Sequence, residues 1–503
     1  MGKDEEAAAA DVFEVGGRIA EPPTQTLIGT AFAAELEAHR ALSAELGRVD
    51  LAHVLCLLDG GVIPSKPGAD LLRAILELED DSSSFSPEPS AGDAYTNREA
   101  RLAALTPHLG WLGTGRARRE ATTTAYHIVL RQRLLALDAA LSSMGRALAT
   151  CAGAHRETLM PDYTYLQAGQ PTTFGHYVSS FVFPVLRDRQ RLREAFDRVD
   201  RSPAGCGSTN GSTLLQDRAG LARRLGFGGI VQHARDAMWQ ADSPIELLAL
   251  VCAAMVGLDR LAEDLMLFAA TDLGFVRLAD RHVRASKIMP QKRNPFPLAY
   301  VRAVANRCLG VQAAVTAAGR TPSGQMDNRL VPYEEVPAAL DAATGASTLL
   351  AEVVEALTVD AARARAVLDA SYALSADLAE GLVAHLGIDF RTAHRAVGRV
   401  VTKLSDLDRP LSSLTSRELR AELPDGLPAL DESTLAKLLR PEHAVAARGE
   451  TGCAGPDAFD ELLQHAEREL LEGDTWAAAT RERLREADRA LMAEARDRAP
   501  KGD

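Results

Sequence analysis

Ser286-Lys287-Ile288-Met289-Pro290-Gln291-Lys292-Arg293-Asn294-Pro295 crowds hydroxyl, ammonium and carboxamide groups between two long apolar helical patterns. Met289-Pro290 cannot continue a helix, and Pro295 blocks an early restart, so the segment reads as an ordered or closable loop. Such a loop can aim Ser286, Lys292 and Asn294 at one small anionic group. An ordinary basic surface loop has the same composition, and the spacing Ser-x-x-Met-Pro-x-Lys-x-Asn alone does not separate the two.

The segment resembles the signature loop of the fumarase/aspartase superfamily, Gly-Ser-x-x-Met-x-x-Lys-x-Asn, with Ala285 in the place of the glycine. Its Pro-Gln-Lys-Arg-Asn-Pro core resembles the argininosuccinate lyase version. The resemblance implies that Ser286 is the base removing a proton next to a carboxylate, which Lys292 and Asn294 hold. It also implies an all-α, three-domain fold around a central bundle of long helices, and a homotetramer whose sites are shared between subunits.

Composition agrees with a helical protein. The 503 residues leave room for two or three domains and a large core. Aromatics are only 5%, while alanine and leucine abound, which favours helices over strands. A formal charge of −13 argues against nonspecific nucleic-acid binding, which needs a basic surface. No apolar run reads as a membrane span, and Met1-Gly2-Lys3-Asp4-Glu5-Glu6 does not open a signal peptide. Cysteines 56, 151, 206, 252, 308 and 453 form no Cys-x-x-Cys pair, so buried reduced thiols and a cytoplasmic setting are expected. His-x-x-x-His spacing is absent as well, so neither metal nor cofactor is expected.

Residues 1 to about 15 read as an acidic, alanine-rich tail. Apolar positions recur at helical spacing from Ala31 to Leu58, and a second helix is predicted from about Ala69 to Leu78. The run from Asp80 to Pro89 reads as a loop, with Asn97 capping a short helix after it. Gly110 to Glu120 is a glycine-rich turn feeding a helix to about Ala149. Glycines for the turn and arginines for solubility would explain it; an anion site at an electropositive helix start would too. It resembles the lyase region His-Thr-Gly-Arg-Ser-Arg-Asn-Asp-Gln, matching at Thr114, Gly115, Arg116 and Arg118. Gly113, Ala117, Arg119 and Glu120 depart from it, and the family's substrate contacts fall on the serine and asparagine.

Tyr163 to His176 resembles the run Tyr-Thr-His-Leu-Gln-x-Ala-Gln-Pro-Thr-Thr-Phe-Gly-His. Thr164 and Gln167 match, whereas Tyr165 stands where the family has the histidine used as proton donor or its orienter. A phenol with an ordinary pKa of about 10 is protonated at neutral pH and can still donate. Ser243-Pro244 and Glu246 read as a capping box opening a helix from Ile245 to Leu273. Two further long helices follow the serine loop, Leu298 to Ala318 and Glu334 to Leu357, joined through Arg320 to Arg329. In argininosuccinate lyases that turn carries a tyrosine and a glutamine contacting the guanidino end. Here the tyrosine is missing, and Arg329 or Leu330 falls at the glutamine. Shorter helices after Val359 resemble the lyase C-terminal domain, and Arg481 to Arg498 reads as a charged helical tail. The domains expected are 1–109, 110–360 carrying the catalytic loop, and 361–503.

Removing a proton next to a carboxylate requires cationic and hydrogen-bonding groups around the doubly charged product, for which Lys292, Asn294 and Thr164 are candidates. Ser286 needs loop N–H groups and a cation to stabilise its alkoxide. Tyr165 is the proton donor nominated by position. The family glutamate that orients the histidine is Ala299 here, as if the pair had been replaced together. Substrate-binding candidates are Thr114, Arg118, Arg119, Thr164, Gln167, Asn294 and Arg329; catalytic candidates are Ser286, Tyr165 and Lys292. The function expected is β-elimination from an N-substituted aspartate or similar succinyl compound, releasing fumarate or a close analogue, with argininosuccinate disfavoured. A specialised lyase with another leaving group and a non-catalytic homologue are the alternatives. Arg119 argues for a departing half that is anionic or neutral; alternatively it points into solvent or pairs with Glu120. The three regions Thr114–Arg119, Thr164–Gln170 and Ser286–Asn294 are expected to come from three subunits.

Overall fold

A computed structural model describes residues 18–81, 86–324 and 329–499. The acidic tail and the centre of the 80–89 loop therefore lie outside the described residues. The first helical run is broken into α1 (Ala33–Ala38) and α2 (Ser43–Asp59). The turn between them lets both His39 and Leu42 face the core. Helix α3 (Ser65–Asp80) begins ahead of its predicted start, because Pro67 sits in the first turn where its missing N–H costs nothing. Helix α4 (Ala94–Ala103) is capped by Asp93, whose carboxylate accepts from the Thr96 N–H at 2.8 Å. Asn97 is not the cap; its side-chain amide donates to the Glu88, Gly92 and Asp93 carbonyls and ties down the preceding loop.

Helix α5 (Arg118–Ala154), about 55 Å long at 1.5 Å per residue, is the axis of the molecule. A hairpin of β1 (Leu159–Thr164) and β2 (Gln167–Thr173) follows, then α6 (Val182–Val199) and α7 (Asp242–Phe268). Helix α7 starts without a side-chain cap, so the expected Ser243/Glu246 box is not formed. Glu246 instead accepts from Arg198 Nε at 2.9 Å, a tertiary ion pair displacing a local cap. The short strands β3 (Val276–Arg277), β4 (Arg284–Ala285) and β5 (Arg293–Asn294) lead into α8 (Phe296–Ala318) and α9 (Leu330–Ala356), with β6 (Thr358–Val359) pairing back to β3.

The long helices pack as a bundle, α5 against α6 and α9, and α8 against α7 and α9. By length and composition α5 could cross a membrane, which the sequence reading did not anticipate, but most of its apolar window is buried inside the molecule. It also carries buried ion pairs, Arg131 with Asp200 at 2.9 Å and Asp138 with Arg189 at 2.9 Å. Each buried charge meets a partner, as burial requires.

Beyond the bundle, α10 (Ser375–Leu386) and α11 (Phe390–Asp406) share a separate core built on Leu378, Leu382, Val397 and Leu419. Helix α12 (Pro456–Arg498) then returns to the main core through Phe459, Leu470 and Leu491. The end of α12 is thus no inert tail: Leu491 is buried and Arg483 pairs with Asp200 at 2.6 Å.

Candidate active site

The serine loop is the tip of a β-hairpin. Strands β4 and β5 pair Arg284 with Asn294 and Ala285 with Arg293, so residues 286–292 form the connection. Pro290 and Pro295 have their expected effect, and α8 restarts immediately after Pro295. Ser286 Oγ accepts from the N–H of Met289 at 3.1 Å and of Ile288 at 3.4 Å. Asn294 Nδ2 donates across the hairpin to the Arg284 carbonyl at 2.9 Å. Arg293 anchors the base through Asp280 at 2.6 Å and the Leu278 carbonyl at 2.9 Å. Lys292 is exposed on the tip and makes no ion pair among the described residues. The loop is held at its base and open at its tip.

Tyr165 and Leu166 form the two-residue turn joining β1 to β2, flanked by the pair Thr164 and Gln167. Their φ angles are 52° and 57°, the left-handed values of a type I′ turn. Such turns favour Asn-Gly, and two bulky side chains there store roughly 1–2 kcal/mol each. Sequence gave no turn signal at this point. Tyr165 is 100% exposed, so its phenol reaches out from the chain rather than into it.

The glycine-rich turn is buttressed from beneath. Arg116 pairs with Asp50 at 2.7 Å, and the Thr114 carbonyl lies 3.1 Å from His53 Nε2. Glu120 is buried and does not pair with Arg119; it accepts from the N–H groups of Gly205 at 2.7 Å and Gly207 at 2.5 Å. Burial pushes its carboxyl up to about 7, against the pull of those donors and of Arg116. Glu120 therefore staples the Gly205–Gly211 turn onto the start of α5.

Arg118 meets Asp93 at 3.3 Å, and Arg119 lies 3.9 Å from Glu35. Burial, then the neighbouring Arg118, lowers the Arg119 pKa. One turn along α5, Thr123 meets Arg329 at 2.5 Å and Tyr333 at 3.0 Å. His39 closes this cluster, its ring centroid 5.6 Å from that of Tyr333. Burial lowers the His39 imidazole to about 4. Glu35, His39, Thr123 and Tyr333 escaped the sequence reading because they are scattered along the chain. Only the spacing of Tyr333, one helical turn after Arg329, offered a clue.

The chain thus presents three separate stations: the Arg118/Arg119/Arg329 cluster, the Thr164–Gln167 tip and the Ser286–Asn294 loop. Among the described residues no hydrogen bond or ion pair joins one station to another. A cavity of about 1470 Å³ lies between the N-terminal helices, α5 and α12, and none of the candidates lines it. Several of its arginines are matched by carboxylates, for example Arg48 with Glu79 and Asp488, and Arg224 with Asp59 and Glu494. No group of three or more His, Cys, Asp or Glu side chains among the described residues is arranged to hold a metal.

Residues 79–310 match the family model described as Lyase, and residues 372–446 match that of the argininosuccinate lyase C-terminal region. The chain is 33% identical to the argininosuccinate lyase of Methanoculleus marisnigri, covering 92% of this chain and 95% of that one. It is 32% identical to that of Halorhodospira halophila, over 88% and 95% of the two chains. A variant EDDS lyase crystallised with bound fumarate shares the fold, with a TM-score of 0.85 at 24% identity over 96% of this chain and 97% of that one. The motifs, the helical multi-domain fold and the full-length likeness converge: the chain is a carbon–nitrogen lyase belonging to the argininosuccinate lyase family within the fumarase/aspartase superfamily.

Proposed function

We propose that the protein cleaves the C–N bond of an N-substituted aspartate or similar succinyl compound by β-elimination, releasing fumarate or a close analogue, and that argininosuccinate is not its substrate. The observation that carries this reading is Ser286 Oγ accepting two loop N–H groups in the same hairpin tip as Lys292. Those dipoles and that ammonium would stabilise the serine alkoxide, and Lys292, Asn294 and Thr164 would hold the carboxylate as it gains charge. Tyr165 would protonate the departing nitrogen, in place of the family histidine. The leaving-group side would use Thr114, Arg118, Arg119, Gln167 and Arg329.

A complete site then needs several copies of the chain. Supporting this, α8 leaves Phe296, Tyr300 and Leu309 exposed along with several alanines, and α7 adds Val256. Such an apolar face on a long helix is suited to burial against partner helices. We assign a homotetramer with sites shared between subunits, domains at 1–109, 110–360 and 361–503, and a cytoplasmic setting consistent with six free cysteines. The test is fumarate release from a panel of N-substituted aspartates, with light scattering of the same preparation. A monomer that is fully active would contradict the shared site, and efficient cleavage of argininosuccinate would overturn the substrate assignment.

A further inference from the structure

Arg329 is held by hydroxyls and aromatic rings, and no carboxylate of the described residues pairs with it. Its Nη1 donates to Thr123 Oγ1 at 2.5 Å and to the Tyr333 hydroxyl at 2.8 Å. Thr123 Oγ1 also lies 2.7 Å from the Arg119 carbonyl, to which it donates, and 3.0 Å from the Tyr333 hydroxyl. Both hydroxyl oxygens accept from Arg329. The guanidinium also lies 5.4 Å from the Trp239 ring centroid and 5.8 Å from that of Tyr333. Two aromatic faces and two hydroxyls thus hold one edge of a half-buried cation.

Among the described residues no carboxylate meets this clamp. The most deeply buried arginines of this chain, Arg98, Arg116, Arg131 and Arg189, each pair with an aspartate. Arg329 forms no such pair among the described residues, and its Nη1 alone is engaged by the clamp. The neighbouring charges do not neutralise it either: Arg118 is matched by Asp93 and Arg119 by Glu35. Among the described residues, three cations here meet two carboxylates, and Arg329 is the one without a partner acid. Beside it His39 is 5% exposed, with Nδ1 buried and unpartnered. A guanidinium or ammonium brought here would face repulsion and desolvation together. A carboxylate would find the edge of a planar fork that no described residue engages, the geometry that binds it in two places at once.

We propose that Arg329, oriented by Thr123, Tyr333 and Trp239, is the specificity-determining residue of a subsite for a carboxylate carried on the departing half of the substrate. This rests on the β-elimination reading above and extends it. The substrate class becomes an N-(carboxyalkyl)aspartate, and the leaving group an amino acid that keeps its acid group. Arg119, the first candidate from sequence, is secondary because Glu35 already answers its charge.

The test compares two probes, N-(2-carboxyethyl)aspartate and its carboxamide isostere N-(2-carbamoylethyl)aspartate. Their affinities are measured by calorimetry on the full-length Ser286→Ala protein, which cleaves neither. The acid is expected to bind at least 10-fold more tightly than the amide, a difference of about 1.4 kcal/mol. Adding Arg329→Gln should erase that preference while leaving fumarate affinity unchanged, and Arg329→Lys should restore part of it. If Arg329→Gln does not fold, Tyr333→Phe, which keeps the ring and removes one clamp oxygen, should narrow the preference about threefold. Equal binding of acid and amide, or a preference that survives both substitutions, would overturn the subsite while leaving β-elimination standing, provided fumarate binds. If neither fumarate nor either probe binds, the β-elimination reading falls and the subsite with it.

Discussion

Replacing Tyr165 by phenylalanine tests its proposed role as proton donor. The ring stays, the turn stays, and one hydroxyl is lost from a side chain that is 100% exposed in the single chain. None of the described residues packs on that hydroxyl, so subunit stability should change by less than about 0.5 kcal/mol. Turnover should fall about 10²–10⁴-fold, the ordinary contribution of a positioned general acid, equivalent to about 3–5 kcal/mol in the barrier. Initial rates of fumarate release measure this directly. Two substrates sharpen it: an alkylamine leaving group needs the proton, whereas a nitroarylamine leaves without much help. The loss should be large for the first and small for the second. The turn itself can be tested through Leu166→Gly, which removes a left-handed penalty of roughly 1–2 kcal/mol. That variant should be more stable yet slower, because a looser tip aims the phenol less well. Undiminished turnover of both substrates by Tyr165→Phe would refute the reasoning outright, and the donor would have to be sought elsewhere.

Ser286→Ala should abolish turnover without loss of folding, since the loop hydroxyl accepts only from its own tip; wild-type rates would remove it from the mechanism. Lys292→Ala should lower both substrate affinity and rate, which a full kinetic titration separates. Glu120→Gln should cost about 2 kcal/mol, because an amide nitrogen would face one of the two glycine N–H groups, and exchange at the Gly205 and Gly207 amides should quicken. Acid should destabilise the fold through His127, which burial lowers to about 4. Between about pH 6.5 and pH 4 the unfolded chain holds a proton that the folded one refuses, so stability present above 6.5 is lost as pH falls, by up to about 3 kcal/mol. Urea midpoints at several pH values check this, and His127→Gln should flatten the profile over that window.

The serine loop was legible as a sequence because its chemistry is local. Proline placement sets where the helices stop and restart, and Ser286, Lys292 and Asn294 lie within nine positions of one hairpin. The helical character was legible for a similar reason, since apolar periodicity over twenty or more residues leaves few alternatives. Caps were read less well. Asp93 took the role expected of Asn97, and Glu246 went to Arg198, because a tertiary ion pair can outbid a weak local cap. The two-residue turn at Tyr165-Leu166 carried no signal at all, for its left-handed backbone is imposed by the pairing of β1 and β2 against local preference.

Sequence alone therefore determined the helical fold class, the three motif stations and their departures at Tyr165, Arg119 and Ala299. Only the tertiary structure decided which charges are already answered. It turned Glu120 inward onto two glycine amides, set Glu35 against Arg119, and left Arg329 clamped between aromatic rings with no acid among the described residues. The reason is physical: pairing depends on distances of a few ångströms between residues as far apart in the chain as Thr123 and Arg329, and no spacing in a sequence encodes those.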